Sequence, residues 1–204
     1  MIDHIVWAVP EFAKGVADVA ALLGIEPTAG GRHTGRGTRN ALLALGYGAY
    51  LEVIGPDAEQ PGVPPLAFGI DTLKAARLAT WAAKAPDIDA RVAQAKAAGF
   101  DAGAVLDMVR DRPDGVRLHW RLTRRETPAG DGLVPFLIDW GTSPHPAETS
   151  AQGCTLLRLE GEHPDPAGVK AMVAAVGESL AVAVGPAPAL RATIRCPRGE
   201  VVLQ

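Results

Sequence analysis

The chain repeats one pattern three times, and a repeat of this length restricts the fold more than any other feature. Each copy opens with a run of strand-forming residues, passes a proline–acid pair into a helix, and stops that helix at a glycine. In the first copy Ile2–Val9 leads through Pro10-Glu11 to an apolar stripe at Phe12, Val16, Val19, Ala20 and Leu23, ended by Gly24. In the second, Leu78–Ala85 leads through Pro86-Asp87 to Ile88, Val92 and Ala95, ended by Gly99. In the third, Leu156–Glu162 precedes Asp165, a good N-cap, with Pro166 at the first helical position. Its stripe is Val169, Met172, Val173 and Val176, and Gly177 stops it.

The segment after each helix also repeats. The first copy continues with a glycine-rich loop, Gly30 to Gly37, and two strands, Asn40–Leu45 and Ala49–Ile54. The second gives Ala104–Val109, Val116–Thr123 and Leu133–Trp140, with turns at Pro113-Asp114-Gly115 and Pro128–Gly132. The third gives Leu180–Val184, Leu190–Ile194 and Glu200–Leu203. The fold class is therefore α+β, built from three βαβββ modules. Modules 1–56 and 77–141 are expected to pair within a domain of residues 1–147 and to share a concave interior. Residues 153–204 form the third module, which needs either the rest of its chain or a second subunit to cover its apolar face; a homodimer is expected. A crossover with Pro56, Pro61, Pro64 and Pro65 joins the first two modules.

Composition narrows the function. A net charge of −3 argues against a nucleic-acid partner, and no apolar run reaches the roughly 18 residues that a membrane span requires. Ile2–Val9 is interrupted by Asp3 and His4 and lacks a basic leader, so it is not a signal peptide. Cys154 and Cys196 then read as reduced thiols, and the expected setting is the cytoplasm. There is no G-x-S-x-G, H-E-x-x-H or C-x-x-C, and the glycines at 30, 31, 35 and 37 lead into a strand rather than a phosphate-holding helix.

Aligning the modules on the proline of each proline–acid pair, Pro10, Pro86 and Pro164, places His4, Thr80 and Arg158 at equivalent points. Glu52 and Asp139 are acids inside the apolar strands that end the first two modules, where an ionisable group needs a partner, a metal or solvent. Asn40 opens a strand and is expected to reach the cup. His33 and Arg32 read as solvated loop residues, and His145, between two prolines, as a loop residue. His119 and Arg121 alternate with Leu118 and Trp120, so one pair faces the cup and the other faces away. Trp7, Trp81 and Trp140 are either aromatic walls or packing beneath a helix.

The runs Asp3-His4-Ile5-Val6 and Leu51-Glu52-Val53-Ile54, with the repeated module, resemble the vicinal-oxygen-chelate superfamily. Gly37-Thr38-Arg39-Asn40, Tyr50-Leu51-Glu52, Ala79-Thr80-Trp81, and Phe136–Trp140 followed by Pro144-His145-Pro146, resemble in order its bacterial glyoxalase-like domain group. The resemblance implies a glyoxalase/dihydroxybiphenyl-dioxygenase-like cup for small molecules. It also implies a divalent metal (zinc, nickel, iron or manganese) on His4, Glu52 and Asp139. The fourth ligand of the family pattern is absent, and Thr80 stands in its place. Two functions are expected from this resemblance. One is a metal-assisted lyase, isomerase or ring-cleaving dioxygenase with Glu52 as catalytic base. The other is a metal-free sequestration protein of the antibiotic-resistance type. Asn40, Thr80, Trp81, His119 and Arg121 are the expected pocket residues.

Overall fold

In the computed structural model, which describes every residue except 61, 62, 64–66 and 113 and the side chain of Asp111, twelve strands and four helices follow one another in the repeated order. Module one contains β1 (Ile2–Ala8), α1 (Phe12–Leu23), β2 (Thr28–His33), β3 (Thr38–Ala44) and β4 (Tyr50–Pro56). Module two contains β5 (Arg77–Lys84), α2 (Ile88–Ala97), β6 (Ala104–Asp111), β7 (Arg117–Arg124) and β8 (Phe136–Asp139). A short α3 (Pro146–Thr149) leads to module three: β9 (Thr155–His163), α4 (Pro166–Ala175), β10 (Ala181–Val184), β11 (Ala189–Cys196) and β12 (Gly199–Leu203). Three of the crossover prolines, Pro61, Pro64 and Pro65, and the turn residue Pro113 lie outside the described residues.

The three long helices start and stop by the same chemistry. Glu11, Asp87 and Asp165 each accept a hydrogen bond from a backbone N–H three residues on, at 3.0, 3.1 and 2.9 Å. Just past each helix the chain turns through a left-handed glycine, Gly24, Gly99 or Gly177, with φ of 77°, 84° and 75°. The stretch Gly30 to Gly37 departs from the loop expected of it, because its first part belongs to β2. Strand geometry tolerates the glycines there because the ladder to β3 is irregular between Ala29 and Gly31.

Modules one and two form a single eight-stranded sheet, β2-β3-β4-β1-β5-β8-β7-β6, curled into a half-barrel. Its seam is the antiparallel pair β1–β5, and within each module the first strand runs parallel to the last. The outer face carries the main core. Ile5, Val9, Leu51, Val53, Trp81 and Leu137 pack there with Val19 and Leu23 of α1 and Ile88 of α2. Trp7 packs against the same core, so Trp7 and Trp81 lie beneath helices.

Module three keeps the element order but not the pairing. Its sheet runs β10-β9-β11-β12, with β10 directly beside β9 and parallel to it. Its apolar face is not bare: Val169, Val173, Val176, Leu190 and Ile194 belong to the same core as β1 and β5. The physical reason given for a homodimer, an uncovered third module, is therefore removed. No helix among the described residues is long and apolar enough to cross a membrane. Both cysteines are free and buried.

Leu133 ties the pieces together. It is 1% exposed, its carbonyl accepts the Trp81 indole N–H at 2.8 Å, and its side chain fills the space above Gly161 of β9. Leu133→Ala is expected to lower stability by about 2–5 kcal/mol, read as the shift of the chemical-denaturation midpoint, in one transition that all three modules share.

Candidate functional site

The inner face of the half-barrel carries Tyr50, Glu52 and Ile54 from β4, Thr38 and Asn40 from β3, and Val6 and Ala8 from β1, with Leu118, Trp120 and Ile138 on the module-two side. Strand alternation alone would point Asp3 and His4 to opposite faces. The ladder between β1 and β5, however, steps from Ile2–Ala83 directly to His4–Ala82, leaving Asp3 as the extra residue of a bulge. Ile2 and Ile5 still reach the outer core, whereas Asp3 and His4 meet on the inner side, His4 Nδ1 lying 2.7 Å from Asp3 Oδ1.

Asp3 is fully buried and accepts three donors. Besides His4 these are His145 Nε2 at 2.9 Å and Trp140 Nε1 at 3.2 and 3.3 Å from the two oxygens. Burial pushes the Asp3 carboxyl up, but the hydrogen bonds from His145 and His4 hold it well below the usual carboxylate range. His145 Nδ1 accepts the Ala147 N–H at the start of α3, so its proton is on Nε2, facing Asp3. The loop histidine thus becomes part of the site. The His4 ring is stacked on Tyr50 at 4.6 Å and meets the edge of Phe136 at 5.4 Å. Burial, with the charges of Asp3 and Glu52, raises the Tyr50 hydroxyl well above its usual value, so it is a neutral phenol.

Beyond His4 the polar chain continues. His4 Nε2 is 3.8 Å from Glu52 Oε2, and Glu52 Oε1 accepts from Asn40 Nδ2 at 2.6 Å. Arg110 Nη1 donates to Asn40 Oδ1 at 2.9 Å, which fixes the amide's orientation. Burial lowers the His33 pKa against the pull of Glu52, and the neutral ring lies 3.3 Å from Asn40 Nδ2 and 2.9 Å from Thr38 Oγ. Arg110, 3% exposed, reaches across from β6 at the far edge of the sheet. It can do so because residue 30 on the other edge strand is glycine: a Cβ there would collide with Asn40 Oδ1 and Arg110 Nη1. Asp3, His33, His145 and Arg110 were not among the residues expected to act.

The register shows which residues correspond between the modules. Ile5 faces Trp81, His4 faces Ala82 and Val6 faces Thr80, so a local twofold through the Ile5–Trp81 pair exchanges His4 with Thr80. Val6 lies beside Glu52 and Ala82 beside Phe136, so the same operation exchanges Glu52 with Phe136. The acid counterpart expected at Asp139 is thus displaced. Asp139 is paired with Arg121, whose guanidinium is held by Asp89 of α2 at 2.7 and 2.9 Å, and it accepts from Gly141 N at 2.9 Å. It lies on the outer face because Phe136 and Ile138 occupy the inner one. His119 shares that outer face, exposed and 3.2 Å from Asp107, while Trp81 lies in the outer core. Of the expected set, His4, Glu52, Asn40 and Thr80 come together at the cup, and Asp139, Trp81, His119 and Arg121 do not.

A resident zinc, nickel, iron or manganese ion takes three or more protein ligands. His4 Nε2 lies 3.8 Å from Glu52 Oε2 and His33 Nε2 3.9 Å from Glu52 Oε1, on the far oxygen beside Asn40, and the module-two counterparts of His4 and Glu52 are a hydroxyl and a phenyl ring. Among the described residues no group of three or more His, Cys, Asp or Glu side chains is arranged to hold an ion. The donor set does not fit a resident metal. Beside these polar groups the inner face carries an aromatic wall, with Trp120 and Trp140 centred 5.1 Å apart.

Comparison with known proteins agrees with the fold. A family model described as "Glyoxalase-like domain" matches residues 2–177. A hypothetical protein from Staphylococcus aureus superposes with a TM-score of 0.65 at 13% identity, covering 98% of this chain and 83% of that one. The methylmalonyl-CoA epimerase of Mycobacterium tuberculosis gives a TM-score of 0.45 at 20% identity, over 68% of this chain and 86% of that one. A variant of the Streptomyces coelicolor methylmalonyl-CoA epimerase, in complex with 2-nitronate-propionyl-CoA, gives 0.46 at 22%, over 72% and 98%. No curated protein matches the chain.

The register makes a test. The double variant Thr80→His/Phe136→Glu is expected to bind zinc roughly a hundredfold tighter than the parent, measured by calorimetric titration. Adding His4→Ala should remove that gain, and adding Asp139→Ala should not.

Proposed function

We propose, for a chain that belongs to the glyoxalase-like domain family and with it to the vicinal-oxygen-chelate superfamily, that the cup takes up a small carbonyl compound and moves a proton on it without a resident metal. Glu52 is the base. One observation carries this reading: Glu52 Oε1 is held by Asn40, while Oε2 has no hydrogen-bond partner among the described residues and faces His4 Nε2 at 3.8 Å. A carboxylate fixed by one oxygen and open at the other is placed to take a proton from a carbon next to a carbonyl. Asp3 orients His4 through Nδ1, which turns Nε2 toward the same space as Glu52 Oε2 and so places it beside the reacting group. Asn40 and Arg110 act through Glu52: Arg110 holds the Asn40 amide, and the amide holds the carboxylate.

A second reading, sequestration without turnover, is favoured by the module-two half of the cup. Thr80 and Phe136 supply no acid or base there, and Leu118, Trp120, Ile138 and Trp140 form an apolar wall.

Deuterium exchange separates the two. Pyruvate, hydroxyacetone and dihydroxyacetone would be incubated with the protein in D2O and followed by NMR. The proton-transfer reading expects exchange beside the carbonyl to be accelerated, insensitive to a chelator, and reduced by about 10²–10⁴-fold in Glu52→Gln with ligand binding retained. Binding with no accelerated exchange in the parent protein would leave sequestration as the function.

A further inference from the structure

On the outer side of module one, α1 and the edge strand β2 stand apart and leave a groove of about 740 Å3. That volume is ample for a small organic ligand. The floor is apolar, formed by Ala13 and Val16 of α1, Ala29 of β2 and Ala41 of β3. Residues alternate along β3, so Arg39 and Ala41 face this groove while Asn40 directs its side chain to Glu52 in the cup.

Arg32, Arg39 and Arg112 reach the groove, and two of them are neutralised. Arg32 pairs with Asp57 and Glu59, and Arg112 with Asp114 at 2.7 Å. Arg39 has neither an ion pair nor a side-chain hydrogen bond among the described residues. Its guanidinium lies over the Phe12 ring, 4.8 Å from the centroid. Its Nε is shut off from water with no acceptor, the one buried side-chain nitrogen or oxygen so left among the described residues. Glu26 borders the groove but makes no bond to Arg39.

We infer that this groove binds an amphipathic monocarboxylate. The Nη1–Nη2 end of Arg39, which lines the groove and has no hydrogen-bond partner among the described residues, offers two N–H donors matched to the two oxygens of a carboxylate. Arg39, without an ion pair among the described residues though within the field of Asp57, lies over an apolar floor and suits one negative charge on an apolar body better than a phosphate or a dianion. The acid's chain lies along Val16, Ala29 and Ala41. This site is separate from the cup, with β3 between them.

Octanoate and 1-octanol, equal in length and different in charge, are the probes. Calorimetric titration should show octanoate binding about tenfold or more tighter than octanol, and amide shifts in two-dimensional NMR should centre on Val16, Ala29, Arg39 and Ala41. Arg39→Gln should remove the preference for octanoate. Val16→Trp, which fills the groove and leaves Arg39 in place, should abolish binding of both probes, so a folding defect of the first variant does not decide the matter. Glu52→Gln should leave octanoate binding unchanged, which keeps this test independent of proton transfer in the cup. Equal affinity for the two probes, full octanoate affinity in Arg39→Gln, or shifts centred on His4 and Glu52 would overturn the assignment.

Discussion

Two strands hold the inner architecture in place. Through the antiparallel pairing of β1 with β5, the sheets of two modules become one curved surface, with the Ile5–Trp81 pair on its local twofold. Everything placed on the inner face inherits its position from that seam. It sets His4 opposite Ala82, Glu52 one strand further out, and Phe136 at the mirrored position. The bulge at Asp3 lies in the same seam. The ladder loses one pairing there and gains a second polar residue on the inner side, which a regular strand could not supply. The orientation of His4 thus follows from an irregularity in the backbone rather than from packing alone.

The modular architecture, the helix limits and the pair His4 and Glu52 could be read from sequence because each rests on a local rule: spacing from a proline, a glycine stop, an acid in an apolar strand. The match of Thr80 with His4 could be counted from the prolines for the same reason, and the β1–β5 register agrees with it. Asp139 could not be placed this way. The counterpart of Glu52 by register is Phe136, and Asp139, an odd number of residues further along the strand, points to the opposite face. Asp3 was hidden because alternation directs it away from His4, and only a bulge brings the two together. His33 was hidden by its glycine-rich surroundings, and Arg110 by a strand that runs further than its apolar residues imply. The changed pairing of module three is also beyond local pattern, since its order of elements matches the other two.

The two halves of the cup have diverged in chemistry while keeping the backbone relation. Module one retains a histidine, an acid and an amide joined in one chain of contacts; module two presents threonine, phenylalanine and tryptophan at and around the mirrored points. Such a division makes the interior polar on one side and apolar on the other. A bound molecule would be oriented by that difference, with its oxygen-bearing end toward Glu52 and His4 and its hydrocarbon toward Trp120.

Residue 30 shapes how closely the two sheet edges meet over the interior. With glycine there, the guanidinium of Arg110 passes between the two sheet edges and ends on Asn40, and the groups of the cup are nearly closed from solvent. On the proposed function, a molecule would reach Glu52 only after the edges part, and parting them would break a buried charge-assisted bond. Capture would then take two steps, an opening that the protein performs alone and a filling that depends on concentration. At high ligand concentration the rate of capture would reach the opening rate and rise no further, so the glycine that shapes the closed cup would also set the upper speed of any turnover inside it.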